Sequence, residues 1–561
     1  MHQVEIELNV PVEMRDGTVL RADVYRPAGE GRWPVLLQRT PYGKSGVGNG
    51  LILDMLAAVE RGYVVIHQDT RGRFASDGEW LPWHHERQDG YDTVVWAAKL
   101  PYCDGKVGMI GGSYTGQTQW TAAIAQPPGL HAIAPMITWS DPANGLMFRG
   151  GAIELGLNAA WCLMQSLGQL PKTETSPEAL MAKMGTTLRD FDGLATGAYA
   201  ELPAADLPAV VRTGLPDIGV RRALADPATM GEARVEGHHG RVTVPSLNVA
   251  GWYDIFQQGT LDNYVAMRAN GVASRLVVGP WHHYSFSGMS GGQTGEVNFG
   301  VSSCAPPGTA SVTDLQLSWF DRWLKDAPAS APDSAESESG VQIFVMGINE
   351  WRNEETWPPA RAVDTPLYLG QGASLTTSPP AEASAPTPYR YDPADPTPTC
   401  GGAHLTTSEF PSGPADQARI EQRPDVLVFT GEPLTEDLEV TGRIRARLFA
   451  ATDGPSTDWV VRLCDVDETG VSRNVADGIV RVRTEPGEIA EHEIDLWSTS
   501  IVFKAGHRLR VQVTSSNFPR WDRNLNTGEP ALEASRIRVA QQQVFHDAGR
   551  PSCLVLPVIP R

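Results

Sequence analysis

The segment Val107-Gly-Met-Ile-Gly-Gly-Ser113-Tyr-Thr-Gly116-Gln-Thr carries the sharpest chemical signal in the chain: a short apolar strand, a glycine turn, then a helical stretch over 117–126. Three chemistries use such a turn. A phosphate loop needs G-x-x-x-x-G-K-[ST], and Gly111 to Thr118 fits it except that Gln117 replaces the lysine that contacts the phosphates. A dinucleotide turn needs G-x-G-x-x-G, a spacing absent here. A nucleophile elbow holds a serine between small residues on a strained strand-to-helix turn, with its hydroxyl exposed above the sheet. The usual G-x-S-x-G is broken, because Thr115 stands where the last glycine belongs and Gly116 follows.

A serine nucleophile needs a base and a carboxylate to orient it, and on a strand–helix scaffold these follow in the order Ser, Asp, His, just past strand ends. The apolar run 246–250 ends in Gly251-Trp-Tyr-Asp254, and 276–278 ends in Gly279-Pro-Trp-His282-His283. Alone, Asp254 reads equally as a turn carboxylate bonding its own backbone, and a single histidine after a strand as a packed side chain. Together with Ser113 they match in order, spacing and strand context.

These residues need a scaffold. Buried-strand patterns at 35–38, 63–68 and 107–110 alternate with helical patterns at 53–61 and 90–99, as a doubly wound parallel sheet requires. From about Pro142 the strand signal gives way to helical features. These include 153–167 and then Ser176 as an N-cap with Pro177 at N1. The strand pattern resumes at 246, so the α/β part is discontinuous. A Pro/Ser/Ala/acidic stretch from Lys325 to Gly340 reads as a linker. Beyond it, alternating segments such as 441–449, 459–466 and 507–514 predict an all-β sandwich or jelly roll. The expected organisation is an α/β core over 1–141 and 239–350, a helical insertion over 142–238, and a β domain over 351–561.

Composition narrows the partners. With 561 residues, 41% hydrophobic, the chain has ample material for buried cores. Lys+Arg 46 against Asp+Glu 66 gives a net charge of -20, which repels a phosphate backbone and argues against nucleic acid. The start has no signal-peptide pattern, and no apolar run reaches membrane-spanning length. The six cysteines form no C-x-x-C pair and read as reduced cytoplasmic thiols. Adjacent histidines at 84/85, 238/239 and 282/283 point to opposite faces on a strand, so no metal site is expected.

The chain resembles the CocE/NonD hydrolases, the group of cocaine esterases, X-prolyl dipeptidyl peptidases and α-amino acid ester hydrolases. The resemblance spans nearly the whole length. It rests on Met14-Arg-Asp-Gly17, Tyr25-Arg-Pro27, Arg39-Thr-Pro-Tyr42, Asp69-Thr-Arg-Gly72 with Ser76-Asp-Gly78, Gly112-Ser-Tyr-Thr-Gly116, Ala250-Gly-Trp-Tyr-Asp254, Gly279-Pro-Trp-His-His283 and Ser515-Ser-Asn-Phe-Pro519. The family's elbow is G-x-S-Y-x-G, which places the displaced glycine. The resemblance implies an α/β-hydrolase core with an inserted helical cap and a C-terminal β jelly-roll domain.

It further implies Ser113 as nucleophile, Asp254 as orienting acid and His283 as base, the pattern G-P-W-x-H selecting His283 over His282. The Tyr114 backbone N–H and the Tyr42 phenol are implied oxyanion donors, and Trp161 and Phe256 line the acyl pocket. Asp69, Arg71 and Asp77 are expected to form an Arg–carboxylate tether. Asp392, Asp395 and Asp416 are expected to hold β-domain loops against the core.

The expected function is a cofactor-free serine esterase acting on a small-molecule ester, with homodimerisation left open. The rival within the fold is an amidase or peptidase whose substrate ammonium requires carboxylates near the nucleophile. The segment after Asp254, Ile-Phe-Gln-Gln, supplies none. The rival from another class is an inert core carrying a carbohydrate-binding jelly roll; a fluorophosphonate probe, which labels only an activated serine, separates the two.

Overall fold

The computed structural model describes residues 3–560 apart from 47, 205–213, 287–289 and 326–339. Most of the expected linker, 326–339, therefore lies outside the described residues. The first sheet is built from β1 (Val4–Glu13), β2 (Val19–Pro27), β3 (Trp33–Thr40), β4 (Val64–Asp69), β5 (Cys103–Gly112), β6 (Leu130–Met136), β7 (Ser246–Gly251), β8 (Ser274–Gly279), β9 (Val341–Val345) and β10 (Glu350–Glu354). Their spatial order is 1-2-4-3-5-6-7-8-9-10. Strands β3 to β9 run parallel, whereas β1, β2 and β10 pair antiparallel.

The sheet is thus mixed rather than purely parallel. The patterns at 35–38, 63–68 and 107–110 left out β1, β2 and β6. β1 is an edge strand with Ile6 and Leu8 exposed, so it lacks the buried apolar run that marks the centre. β10 straddles the expected boundary at 350/351 and still belongs to this sheet.

Alternation explains the layering. Val35, Leu37, Val64 and Ile66 face one side, against helices α2 (Glu86–Ala98) and α3 (Tyr114–Ala125) and Met267 of α6 (Gln257–Ala269). Leu36 and Val65 face the other, against α1 (Met55–Glu60) and α7 (Val312–Leu324). Gly108 in β5 lets α7 close on the sheet, since a Cβ there would stand 2.5 Å from the Phe320 ring. α2 starts at Glu86, four residues before the expected start. Gly90 is not a boundary but a contact, its missing Cβ leaving room for the Ala122 methyl, 2.9 Å from where that Cβ would sit.

Between β6 and β7 the chain is largely helical, with α4 (Leu155–Thr173) and α5 (Pro177–Asp192). α4 outruns the expected 153–167 and contains Pro171 near its end. α5 begins as read, the Ser176 hydroxyl accepting from the Ala179 N–H at 3.3 Å.

From Val363 onward the described elements are mainly antiparallel strands of a second sheet system. Leu438–Thr452 pairs along its length with Ala490–Phe503, and Ser456–Val466 with Arg508–Thr514. This β domain abuts the preceding part of the chain directly. Gln257 Nε2 donates to the Ser498 carbonyl at 2.6 Å, and the Ile153 N–H to Asp522 Oδ1 at 2.7 Å. Among the described residues no helix is long and apolar enough to cross a membrane.

Candidate active site

Ser113 sits where β5 turns into α3, at φ 59° and ψ -125°, a region that non-glycine residues adopt only under strain. The turn closes because its neighbours lack side chains. A Cβ on Gly111 would stand 2.3 Å from Thr115 Oγ1, and one on Gly116 2.9 Å from Thr138 Cβ. That is why the glycine after the serine is displaced by one: Thr115 packs back on Gly111, its hydroxyl donating to the Gly112 carbonyl at 2.8 Å. The Tyr114 N–H lies in the first turn of α3, where a helix has no acceptor for it.

Asp254 and His283 meet because the turns after β7 and β8 interlock. The Trp252 N–H donates to the Gly279 carbonyl and the Tyr253 N–H to the Trp281 carbonyl, both at 2.9 Å. A Cβ on Gly251 would fall 2.3 Å from that Trp281 oxygen. In consequence His283 Nδ1 lies 2.6 Å from Asp254 Oδ2, while Oδ1 accepts the Phe256 N–H at 2.8 Å. A carboxylate only accepts, so Nδ1 carries the proton and Nε2 of the neutral ring is an acceptor. Asp254 is fully buried.

His282, half-buried, turns back on its own loop: its N–H donates to Ser285 Oγ at 2.8 Å and its Nδ1 accepts from the Tyr284 N–H.

Ser113 and His283 line one cavity of about 310 Å³ together with Tyr42, Tyr114, Trp161 and Phe256. Tyr42, among the residues lining this cavity, keeps 40% of its surface open. Desolvation pushes its phenol up to about 12, so it stays a protonated donor at neutral pH. Its oxygen accepts from Trp161 Nε1 at 3.3 Å. Phe256 stands edge-on to the His283 ring at 5.4 Å.

Several walls carried no sequence signal. Trp83, held at φ 66°, stacks on Trp161 at 5.3 Å and on Tyr114 at 6.1 Å. The Trp83 backbone N–H donates to the Tyr114 phenol, which donates to Glu86. Glu86 is buried against Arg39, 2.7 Å away, and desolvation raises its pKa all the same. Trp139, Tyr284 and Phe286 complete the aromatic lining, and Leu405 reaches in from the β domain. Arginine and tryptophan spacing in the loop 71–83 was the available clue, but it does not say which ring faces inward.

The expected tether is corrected. Arg71 does not pair with Asp69 or Asp77; it bridges Asp89 at 2.6 Å and Asp16 at 2.8 Å, both distant in sequence. Asp69 instead accepts the backbone N–H groups of Lys44 and Ala75, fixing the loop that carries Tyr42. Of the β-domain landmarks, Asp416 meets the core through its backbone, its N–H donating to Glu296. Asp395 pairs with Arg423 inside the β domain rather than with the core.

Both parts of the chain match known proteins. Residues 16–285 match the family model for X-Pro dipeptidyl-peptidase (S15 family), and 333–555 that for the X-Pro dipeptidyl-peptidase C-terminal non-catalytic domain. A cocaine esterase of Rhodococcus sp. (strain MB1 Bresler) is 39% identical over 99% of this chain and 98% of its own. The chain belongs to the CocE/NonD family of serine hydrolases. The hydrolase is also similar to an aminopeptidase from the marine sediment archaeon Thaumarchaeota archaeon, with a TM-score of 0.81 and 26% identity over 100% and 97% of the two chains. An α-amino acid ester hydrolase aligns with a TM-score of 0.79 and 26% identity over 99% and 97%. The fold is accordingly an α/β hydrolase with a C-terminal β domain.

Proposed function

We propose that this serine hydrolase is a carboxylesterase that forms an acyl-enzyme on Ser113 and favours apolar or aromatic acyl groups. The observation that carries the reading is the strained Ser113 in one cavity with His283, whose Nδ1 is held by Asp254. Nε2 of His283 takes the Ser113 proton as the hydroxyl attacks the ester carbon. The imidazolium, stabilised by Asp254, then protonates the departing alcohol, and water activated by the same ring releases the acid. Helices α4 and α5 belong to a helical cap, of which α4 lines the cavity through Leu157, Trp161 and Met164, and the C-terminal strands form a jelly-roll domain that contributes Leu405.

The oxyanion is met by the Tyr114 N–H and the Tyr42 hydroxyl. Charge appears on the substrate oxygen only as the tetrahedral species forms, so a donor there acts on kcat more than on KM. Tyr42→Phe removes one oxygen and keeps the ring. It is expected to lower kcat on the order of 100- to 1,000-fold, about 3 to 4 kcal/mol, with KM little changed. Steady-state kinetics on a neutral ester checks this, and a kcat within a few-fold of wild type would place the second donor elsewhere.

Among the described lining residues there is no Asp, Glu, Lys or Arg. Gln257, three residues after Asp254, spends its amide on the Trp252 and Ser498 carbonyls. A substrate ammonium entering this cavity would be desolvated without a counter-charge, at a cost of several kcal/mol, and the loss need only reach about 2 to 3 kcal/mol to be plain in the kinetics. Free α-amino esters are therefore expected to trail their des-amino analogues on the order of 100-fold in kcat/KM. Paired kinetics on such esters tests it, and faster turnover of the amino ester refutes it.

The second reading, an amidase or peptidase, draws support from the aminopeptidase and α-amino acid ester hydrolase likenesses. A panel of esters of varied acyl size with matching amides separates the two.

A further inference from the structure

Arg73 lies in the loop after β4 and is fully buried. Its Nε donates to the carbonyl of Pro41 at 2.7 Å, the peptide oxygen directly before Tyr42. The other end of the fork grips α4. Nη1 donates to the Gln165 carbonyl at 3.2 Å and to Gln169 Oε1 at 2.8 Å, and Nη2 to Gln165 Oε1 at 3.0 Å. Trp80 and Phe74 cover the guanidinium, 4.2 and 5.0 Å from their ring centres. α4 comes this close because Gly168 has no side chain; a Cβ there would lie 2.8 Å from Nη2.

Every one of these acceptors is neutral. Among the described residues Arg73 makes no ion pair, and Asp69, the carboxylate whose charge it feels, is committed to the Lys44 and Ala75 N–H groups. A buried cation without a counter-ion is expensive to keep. Burial pulls its pKa down to about 10, which leaves it charged at neutral pH. The Tyr42 phenol, the side-chain oxyanion donor, lies within range of the Arg73 charge. That charge has little to act on while the substrate carbonyl is neutral, and most when the oxyanion has formed.

We propose that Arg73 is a positioning residue for the oxyanion hole: its fork pins the Pro41–Tyr42 turn to the cap helix, and its charge, held in no ion pair, strengthens the Tyr42 donor as the tetrahedral intermediate forms. The inference rests on the assignment of Tyr42 as an oxyanion donor. A residue that merely anchored α4 would influence stability and cap attachment irrespective of the Tyr42 hydroxyl; one acting through that hydroxyl loses its effect when the hydroxyl is gone.

A double-mutant cycle in kcat on a neutral aryl ester, with thermal unfolding followed in parallel, makes the distinction. Arg73→Met keeps an unbranched apolar side chain beside Trp80 and removes the fork, the charge and the guanidinium stacked on that ring. It is expected to lower kcat about 10- to 50-fold with KM within about threefold of wild type. In the Tyr42→Phe background the same change should cost less than about threefold in kcat. Equal factors in the two backgrounds, or an Arg73→Met kcat within about twofold of wild type, overturn the inference.

If Arg73→Met does not fold, Arg73→Lys serves in the same cycle, since a lysine keeps the charge but cannot fork. It should lose about 5- to 10-fold in kcat only where the Tyr42 hydroxyl is present, and equal losses in both backgrounds overturn the inference. A Tyr42→Phe enzyme that is itself near wild type signals instead that the oxyanion assignment has failed.

Discussion

Ser113→Ala is expected to abolish ester hydrolysis and fluorophosphonate labelling while leaving the protein folded. Loss of an acylating serine costs about 10⁵- to 10⁶-fold in kcat, roughly 7 to 8 kcal/mol, because oxyanion donors and binding retain only a residual acceleration. The fold should survive for a local reason. Alanine keeps the Cβ already accommodated at φ 59°, and the backbone bonds that hold the elbow remain. These are the Ser113 N–H to the Met136 and Ile137 carbonyls and the Thr138 hydroxyl to the Ser113 carbonyl. Circular dichroism and thermal unfolding matching wild type, with no probe label, is the expected pair of results. Labelling that persisted in a folded variant would falsify the nucleophile assignment.

His283→Ala should lose activity by a comparable factor, about 10⁵-fold or more, and His282→Ala less than about tenfold. The two rings are neighbours in sequence with different surroundings. His283 meets a fully buried carboxylate at 2.6 Å and stands against Phe256, whereas His282 is committed to the turn formed with Tyr284 and Ser285. Removing His283 also leaves the Asp254 carboxylate buried with one oxygen unpaired. Some loss of stability is therefore expected, and unfolding measurements must accompany the kinetics. Equal activity losses in the two variants would mean that the loop after β8 presents a different ring to the serine.

Much of this site was legible in the primary structure because its geometry is local. An apolar run followed by Gly-Gly-Ser or Gly-Trp-Tyr-Asp specifies a strand end and a tight turn with few residues involved. Gly251 and Gly279 show why: each is a glycine because the turn folds a neighbouring Trp281 into the space of a Cβ. Local patterns failed where packing overruled them. Gly90 resembles a helix start and is a helix-to-helix contact. β1 and β2 lack a buried apolar run because they lie towards the edge of the sheet.

By itself, then, the sequence determined the order of Ser113, Asp254 and His283 at strand ends, the broad division into an α/β part and a β part, and the neutral character of the segment after Asp254. Each follows from short-range backbone sterics and from apolar periodicity, which a linear pattern contains. Only the tertiary structure decided which side chains face the cavity, Trp83 through a strained turn and Leu405 from the other domain, and that Arg73, outside the lining, joins Pro41 to Gln165. It also decided that Arg71 reaches Asp89 and Asp16 rather than its neighbours. Those partners lie tens to hundreds of residues apart, and what brings them together is the closing of packed layers over buried groups that must find hydrogen-bond partners.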